Sequence, residues 1–273
     1  MGFEKVELHL HPFFGSYGID SVVDAMEDRC VNVLGLESLN RHIFPDVKKL
    51  AEKTGYKFVG SDDYAAVISK DKKNYYLLNA IELCTEDNFH LLIFGSDKAV
   101  PHKGTEETID SALGDDALVV FDHPFVDNDN LSKELGFCKE SFLRSLCIKY
   151  SGGLALEWNA YCKPWIRKFL GGRDVNNDVE DLSARLKEEG YNLPVVPDSD
   201  VHARNKRLLG AMGSAFICSF LDCSSGKSLV SSLKKNIFSG DYMSVKDYVS
   251  TPHFVEAFGV PILFRDNFKD PRG

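Results

Sequence analysis

The sequence predicts an α/β fold with parallel strands, and three observations carry this prediction. Short apolar runs, such as residues 31–36, 117–121 and 153–158, are typical of strands that are buried on both faces of a sheet. Segments with helical spacing alternate with these runs, which is the order of successive βαβ units. Titratable side chains follow several of the runs directly, and in a closed α/β barrel such strand ends meet around one mouth.

The predicted elements follow one another along most of the chain. The first strand covers residues 5–10, and Asp20 is expected to cap a helix at 21–30. The other strands are predicted at residues 31–36, 56–59, 65–69, 75–84, 90–94, 117–121, 153–158, 193–196 and 215–220. The other helices are predicted at residues 44–53, 105–113, 131–150, 163–170, 178–189 and 225–236. We expect one domain over residues 1–273, with a surface loop at 171–178 and a C-terminal extension near 242–273.

Composition limits the classes of function. The chain has 273 residues, 44% hydrophobic and 27% charged, as in ordinary globular proteins. Its net charge of −9 predicts no nucleic-acid partner, because binding to a phosphate backbone needs a basic face. The chain has neither an apolar run of membrane-spanning length nor a signal-peptide pattern, which predicts no membrane partner and a cytoplasmic location. The sequence carries no signal of oligomeric state.

The strongest local signal is a pair of histidines near the start of the chain. His9 and His11 lie two residues apart in the first predicted strand, so their side chains point to the same face. Pro12 is expected to end this strand, because proline has no N–H to donate to a neighbouring strand. Two imidazoles aimed at one point indicate a metal site.

Further groups of the same kind follow the other predicted strands. They are Glu82, His90, Asp122, His123, Glu157, Asp198, Asp200 and His202. Imidazole nitrogens and carboxylate oxygens together suit zinc, manganese or iron. Thiolate ligands are not expected, because the seven cysteines are scattered and never in CxxC spacing. Glu157 is equally consistent with a structural role and Asp198 with a turn, whereas His42, His102 and His253 lie in predicted loops.

In order along the chain, these segments resemble the successive motifs of the PHP superfamily (polymerase and histidinol phosphatase). The motifs are Leu8-His9-Leu10-His11-Pro12, Asn79-Ala80-Ile81-Glu82, Phe89-His90-Leu91-Leu92-Ile93-Phe94-Gly95, Phe121-Asp122-His123-Pro124, Leu156-Glu157-Trp158-Asn159 and Asp198-Ser199-Asp200-Val201-His202. The resemblance runs from residue 6 to about residue 205. It implies a distorted (β/α)7 TIM-like barrel, with a metal site at the carboxyl ends of the strands, and the hydrolysis of a phosphate ester.

The resemblance also implies a ligand set. One metal would be held by His9, His11, Glu82 and Asp200; the second would be held by Glu82 as a bridge, His90 and His123. In members with three metals, His202 would hold the third.

Two departures from the family pattern concern the third metal. Residues 13–18 contain no Asp or His ligand, and Leu39 stands where the family has a histidine. We therefore predict two divalent metal ions, zinc, manganese or iron, and a third site that is weak or absent. His42 and Glu37 are the nearest substitutes, although the register favours neither.

The implied chemistry is attack on phosphorus by a hydroxide that the two metals activate. Without a third metal, cationic side chains would have to neutralise the substrate phosphate. Arg204 is the first candidate, followed by Lys163 and Arg41, with Asn159 as a hydrogen-bond donor. His202 is expected to act as a general acid or as a partner of a ligand.

The leading functional prediction is a metal-dependent phosphoesterase, a phosphatase or a phosphodiesterase, that acts on a small phosphorylated compound. An amidohydrolase-like enzyme is the first alternative, because that superfamily also begins with two histidines in HxH spacing and cleaves C–N or C–O bonds. The second alternative is a non-catalytic PHP-like protein, similar to a ribonuclease P subunit.

Overall fold

The computed structural model describes residues 3–96, 103–125, 139–164 and 174–259. Its strands are β1 (Glu4–Pro12), β2 (Val33–Leu36), β3 (Lys57–Ser61), β4 (Ala65–Lys70), β5 (Lys73–Cys84), β6 (His90–Phe94), β7 (Leu118–Asp122), β8 (Leu154–Asn159), β9 (Val195–Asp198), β10 (Val201–Ala203), β11 (Ala215–Cys218) and β12 (Tyr242–Val245). Its α-helices are α1 (Ile19–Asp28), α2 (Phe44–Glu52), α3 (Thr105–Gly114), α4 (Lys139–Lys149), α5 (Val175–Glu188), α6 (Gly226–Ser239) and α7 (Thr251–Phe254). A 3₁₀ helix covers Lys206–Ala211.

Seven strands form a nearly closed barrel in the order β1-β2-β5-β6-β7-β8-β9. The free side of β1 is taken by β10, which pairs with it in parallel, and by β11, which pairs with it antiparallel. β12 extends the sheet beyond β11, and the hairpin of β3 and β4 extends it beside β5. The α/β, distorted TIM-like barrel predicted from the sequence is confirmed.

One of the seven barrel strands runs against the predicted parallel order. β6 is antiparallel to both β5 and β7, whereas β2, β5 and β1 are parallel, as are β7, β8 and β9. Only five residues, 85–89, join β5 to β6, and a parallel crossover needs a dozen or more. The reversal places the first residue of β6, His90, at the end of the barrel where the other strands finish.

Alternate residues of the strands fill the barrel interior. One cluster of fully buried side chains combines Leu92 and Phe94 of β6 with Leu118 and Val120 of β7. Helix α6 contributes Leu229, Val230, Leu233 and Ile237 to the same cluster. Apolar side chains therefore occupy the inner layers, and titratable residues take the inward positions at the carboxyl end of the strands.

Several predicted boundaries change. β1 continues through Pro12, which lies opposite Ala203 at the end of the ladder with β10. Gly18, not Asp20, caps α1, because the Asp20 carboxylate instead accepts hydrogen bonds from Gly55 N (3.1 Å) and the Thr54 hydroxyl.

Other predictions concern parts of the chain outside the described residues. They are the helix over 165–170, the first part of the predicted helix at 131–150, the loop residues 171–173, His102 and the end of the C-terminal extension. Within the described ranges, no helix is long and apolar enough to cross a membrane.

Candidate metal centre

All seven residues predicted as ligands meet at the carboxyl end of the barrel. His9 and His11 come from β1, Glu82 from β5 and His90 from β6. His123 directly follows β7, Asp200 lies in the turn between β9 and β10, and His202 lies in β10. Four groups of ligand atoms each lie within 4.8 Å of one another: His9-His11-Glu82, Glu82-His90-Asp122-His123, His11-Asp200-His202 and His9-Asp122-Glu157.

The first group has the spacing that a tetrahedral metal needs. Ligand atoms bound at about 2.0–2.1 Å to one tetrahedral ion lie about 3.4 Å apart. His9 Nε2 lies 2.9 Å from His11 Nε2 and 3.5 Å from Asp200 Oδ1. His11 Nε2 lies 3.6 Å from Asp200 Oδ1 and 3.3 Å from Glu82 Oε2. His9, His11 and Glu82 therefore fit around one ion, and Asp200 Oδ1 lies close to both imidazoles.

Glu82 faces both predicted metal positions. Its Oε2 lies 3.3 Å from His11 Nε2, and its Oε1 lies 2.5 Å from His90 Nδ1. Each oxygen thus belongs to a different ligand group. A carboxylate in this position can bridge two metals.

Two residues at the rim adopt left-handed backbone conformations. His123 has φ +26° and Asp200 has φ +46°. Positive φ is uncommon outside glycine, and residues held there cluster at functional sites. Consecutive residues of a strand point to opposite faces. The left-handed backbone at His123 allows Asp122 and His123 to belong to the same ligand group nevertheless.

Three further carboxylates, which the sequence analysis names without assigning them to a metal, line the site. Glu37, Asp122 and Asp198 are buried, and among the described residues none of their carboxylate oxygens accepts a hydrogen bond. Burial of carboxylates without hydrogen bonds is costly, and a cation offsets that cost. Asp122 could have been found by its parity, because it continues the inward series of Leu118 and Val120.

The electrostatics of the site follow from burial and from the crowding of charges. Burial raises the pKa of Asp122 to about 7 and lowers the pKa of His11, which also lies beside His202, to about 3. Burial also opposes ionisation of Glu82 and Asp200, but the neighbouring imidazoles hold the pKa of both below the usual range. The carboxylates in turn raise the pKa of His9, His90 and His123, although burial opposes this, so a divalent cation that binds these imidazoles displaces their protons.

His202 is the most accessible of the seven predicted ligands. Its side chain is 30% exposed, whereas the others range from 1% to 14%. Its ring stacks on His11 with centroids 4.5 Å apart, and its Nε2 lies 3.2 Å from Asp200 Oδ1. His202 therefore lies between the ligand cluster and the solvent.

The cations predicted at the mouth occupy different environments. Arg204 is half-buried directly after β10, and Lys163 is buried after β8. Arg41 is exposed and pairs with Asp46 at 3.1 Å.

The structure gives Asn159 a different role from the predicted one, and it separates the two candidate substitutes for the missing ligands, Glu37 and His42. Asn159 was expected to donate to the substrate, but its amide donates to Asp200 Oδ2 (2.9 Å) and Glu157 Oε2 (3.1 Å). Both bonds orient carboxylates of the cluster. Of the two proposed substitutes for the missing ligands, Glu37 Oε2 lies 3.7 Å from His9 Nε2, whereas His42 belongs to none of the four ligand groups among the described residues.

Comparison with known proteins identifies the fold. No protein-family model matches the chain. No curated protein matches it in sequence either. Solved structures do match, at low sequence identity.

One similar structure is a two-domain protein from Bacteroides vulgatus that contains a predicted PHP-like metal-dependent phosphoesterase. It is 12% identical over 94% of this chain and 70% of that chain, with a TM-score of 0.55. PsfC from Pseudomonas syringae is 15% identical over 97% of this chain and 99% of that chain, with a TM-score of 0.50. The lesion-specific endonuclease PfuEndoQ from Pyrococcus furiosus is 16% identical over 89% of this chain, with a TM-score of 0.51. The aligned region spans 58% of the PfuEndoQ chain.

A nearly closed α/β barrel that collects imidazoles and carboxylates at its carboxyl end defines the class of PHP-like barrels. This chain has the PHP fold, and the resemblance carried by its motifs is confirmed at the level of the fold.

The prediction of no nucleic-acid partner is wrong. An Endonuclease Q structure with the same fold, 15% identical over 90% of this chain and 58% of that chain, has a TM-score of 0.52 and holds a 27-mer duplex substrate with an abasic lesion at its active site. The net charge of −9 sums the whole surface, whereas cations bound in a site reverse the local field. Net charge therefore does not exclude a DNA substrate.

Proposed function

We propose that this protein is a metal-dependent phosphoesterase with two divalent cations at the carboxyl end of its barrel. The observation that carries the proposal is the position of Glu82, whose two oxygens face His11 at 3.3 Å and His90 at 2.5 Å. A shared carboxylate between two imidazole groups is the core of a dinuclear site. Two such cations polarise a phosphoryl oxygen and activate water near neutral pH.

The ligand assignment is the one that the resemblance to the PHP motifs implies. His9, His11, Glu82 and Asp200 would hold the first ion, and Glu82, His90 and His123 the second. Nitrogen and oxygen ligands without thiolate suit zinc, manganese and iron alike.

Three further residues have proposed roles: they orient the metal ligands, donate a proton or bind the substrate phosphate. Asn159 holds Asp200 and Glu157 in place through its amide. His202, the most exposed imidazole, would hand a proton to the leaving oxygen. Arg204 would bind the negative charge of the phosphate, which a third metal does in other members of the family.

A small phosphorylated compound is the first proposed substrate. DNA is the second candidate, because Endonuclease Q combines this fold with a duplex substrate at its active site. Hydrolysis of either substrate requires the same attack on phosphorus. The two substrates differ in the groups that are attached to the phosphate.

The experiment is an activity panel on protein loaded with Zn²⁺, Mn²⁺ or Fe²⁺. The panel contains p-nitrophenyl phosphate, bis-p-nitrophenyl phosphate, an amide, a lactone and a duplex with one abasic site. We expect hydrolysis of at least one phosphate ester, lost with a chelator and in His9→Ala. Cleavage of the amide or lactone alone would instead identify an amidohydrolase-like enzyme. A wild-type protein that binds no metal and has no activity would support the non-catalytic alternative.

A further inference from the structure

We infer that Asp122 is a fourth ligand of the second metal, beside Glu82, His90 and His123. This inference rests on the proposed function, since it concerns the same pair of ions. It adds a carboxylate that the family motifs do not assign.

The fold places Asp122 where a ligand is needed. It is the last residue of β7, and it lies directly opposite His90 in the antiparallel register of β6 and β7. Opposed residues on neighbouring strands share a face, so both side chains enter the barrel. The next residue, His123, reaches the same group because of its left-handed backbone.

The distances match a common ion. Asp122 Oδ2 lies 3.0 Å from His123 Nε2 and 3.7 Å from His90 Nδ1. These values bracket the spacing of about 3.4 Å between ligand atoms on a tetrahedral metal.

The Asp122 carboxylate faces two imidazoles of its ligand group, those of His90 and His123. Its side chain is 0% exposed, and among the described residues neither oxygen accepts a hydrogen bond. His123 Nε2 is close enough for one but does not meet its geometry. A short contact without hydrogen-bond geometry is expected between two ligands of one metal, because each ligand atom turns its lone pair toward the ion and not toward the other atom.

Asp198 provides a matched control. It is likewise a fully buried carboxylate at the end of a barrel strand, β9, and its oxygens accept no hydrogen bond within the described ranges. However, its Oδ1 lies 3.8 Å from His9 Nδ1, and it belongs to none of the four ligand groups. The contrast between the two aspartates separates ligation from mere burial of a charge.

With Asp122, the second ion has two imidazoles and two carboxylates. A water can still bind as a fifth ligand, because catalytic sites expand to five-coordinate geometry. Asp122 adds a negative charge beside the second cation, which offsets more of the ion's charge within a buried environment. We therefore expect the second ion to be held more tightly with Asp122 than without it.

The first experiment counts metals. Wild type, Asp122→Asn and Asp198→Asn are dialysed against a metal buffer that keeps free Mn²⁺ low, and metal per chain is measured by elemental analysis. We expect two ions in wild type and in Asp198→Asn, and one in Asp122→Asn. In electron paramagnetic resonance, the coupled signal of a manganese pair should become that of an isolated ion.

Affinity distinguishes a ligand from a residue that only orients a ligand. Loss of an orienting residue typically weakens metal binding by about 10–100-fold. We expect the second-site affinity of Asp122→Asn to fall by more than about 100-fold. Two ions bound to Asp122→Asn with a smaller loss would overturn the inference.

The second experiment tests direct bonding. Asp122→Cys and Asp198→Cys are loaded with Co²⁺, and their near-ultraviolet spectra are compared with the spectrum of wild type. Wild type is the necessary reference because its own Cys84 lies opposite His90. A thiolate-to-cobalt charge-transfer band in Asp122→Cys alone supports ligation. Absence of the band in a folded, cobalt-loaded Asp122→Cys contradicts it. If wild type itself binds no metal, the proposed function fails; if wild type binds two ions and Asp122→Asn does too, only the present inference fails.

Discussion

Glu157 Oε1 lies 2.7 Å from Nδ1 of His9, and the two residues are 0% and 1% exposed. A carboxylate on the far nitrogen of an imidazole places the proton there and turns the other nitrogen toward a metal. The second oxygen of Glu157 accepts from His123 N at 2.7 Å and from Asn159 Nδ2 at 3.1 Å. One buried carboxylate thus orients residues of three strands or strand ends.

We expect Glu157→Gln to weaken binding of the first metal by about 10–100-fold, because His9 loses its charged partner. Competition with a chromophoric chelator would measure this affinity. Glu4→Gln, at the opposite end of β1, is the control and should retain wild-type affinity. Unchanged metal binding in Glu157→Gln would mean that the contact with His9 does not act on the metal.

We expect Glu82→Gln to lose both metals, because Glu82 is the one residue assigned to both ions. Its neutral amide cannot bridge two cations, so metal content should fall from two ions to fewer than one per chain. Elemental analysis after dialysis gives the answer. The same change at exposed Glu86 should leave two ions bound, and two ions in Glu82→Gln would contradict the bridging role.

We expect the metal-free protein to lose stability as pH rises, in part through Glu7. Burial raises the pKa of Glu7 from 4.5 to about 8, although Ser199 N donates to its Oε1 at 3.0 Å. Between these values the unfolded chain has released the proton and the folded chain has kept it, so stability falls with rising pH.

Glu7→Gln removes this dependence and still accepts the bond from Ser199. The variant should therefore gain on the order of 3 kcal/mol relative to wild type at pH 7 and little below pH 4.5. Urea unfolding of both proteins across this range measures the difference. A difference that does not change with pH would show that Glu7 ionises normally in the fold.

We expect Arg204→Ala to lower kcat/KM for the phosphate ester by about 100-fold, because one charge that binds the phosphate is removed. Arg204→Lys should recover part of the loss, since a point charge replaces the planar guanidinium. Arg207→Ala is the control, because Arg207 is 71% exposed and lies 3.4 Å from Glu256. Equal activity of Arg204→Ala and Arg207→Ala would remove Arg204 from the substrate site.

The sequence by itself predicted the α/β class and the titratable residues at the strand ends from local patterns, and the family resemblance selected seven of these residues as ligands. His9 and His11 share a face because strands have a period of two, and apolar runs followed by Glu82 or Asp200 mark strand ends. These sequence patterns can be recognised without knowing which strands are neighbours in the sheet.

The tertiary structure alone decided how the strands pair and how closely the other carboxylates approach the predicted ligands. His90 begins its strand, and it meets the others only because β6 runs antiparallel. Asp122 enters through its register opposite His90 and the left-handed turn at His123. The local sequence pattern predicts neither the direction in which strands pair nor the backbone dihedral angles of these residues, because both depend on contacts between distant segments. The histidine pair of β1 could therefore be found in the sequence, whereas its buried partner Glu157 could be assigned only in the fold.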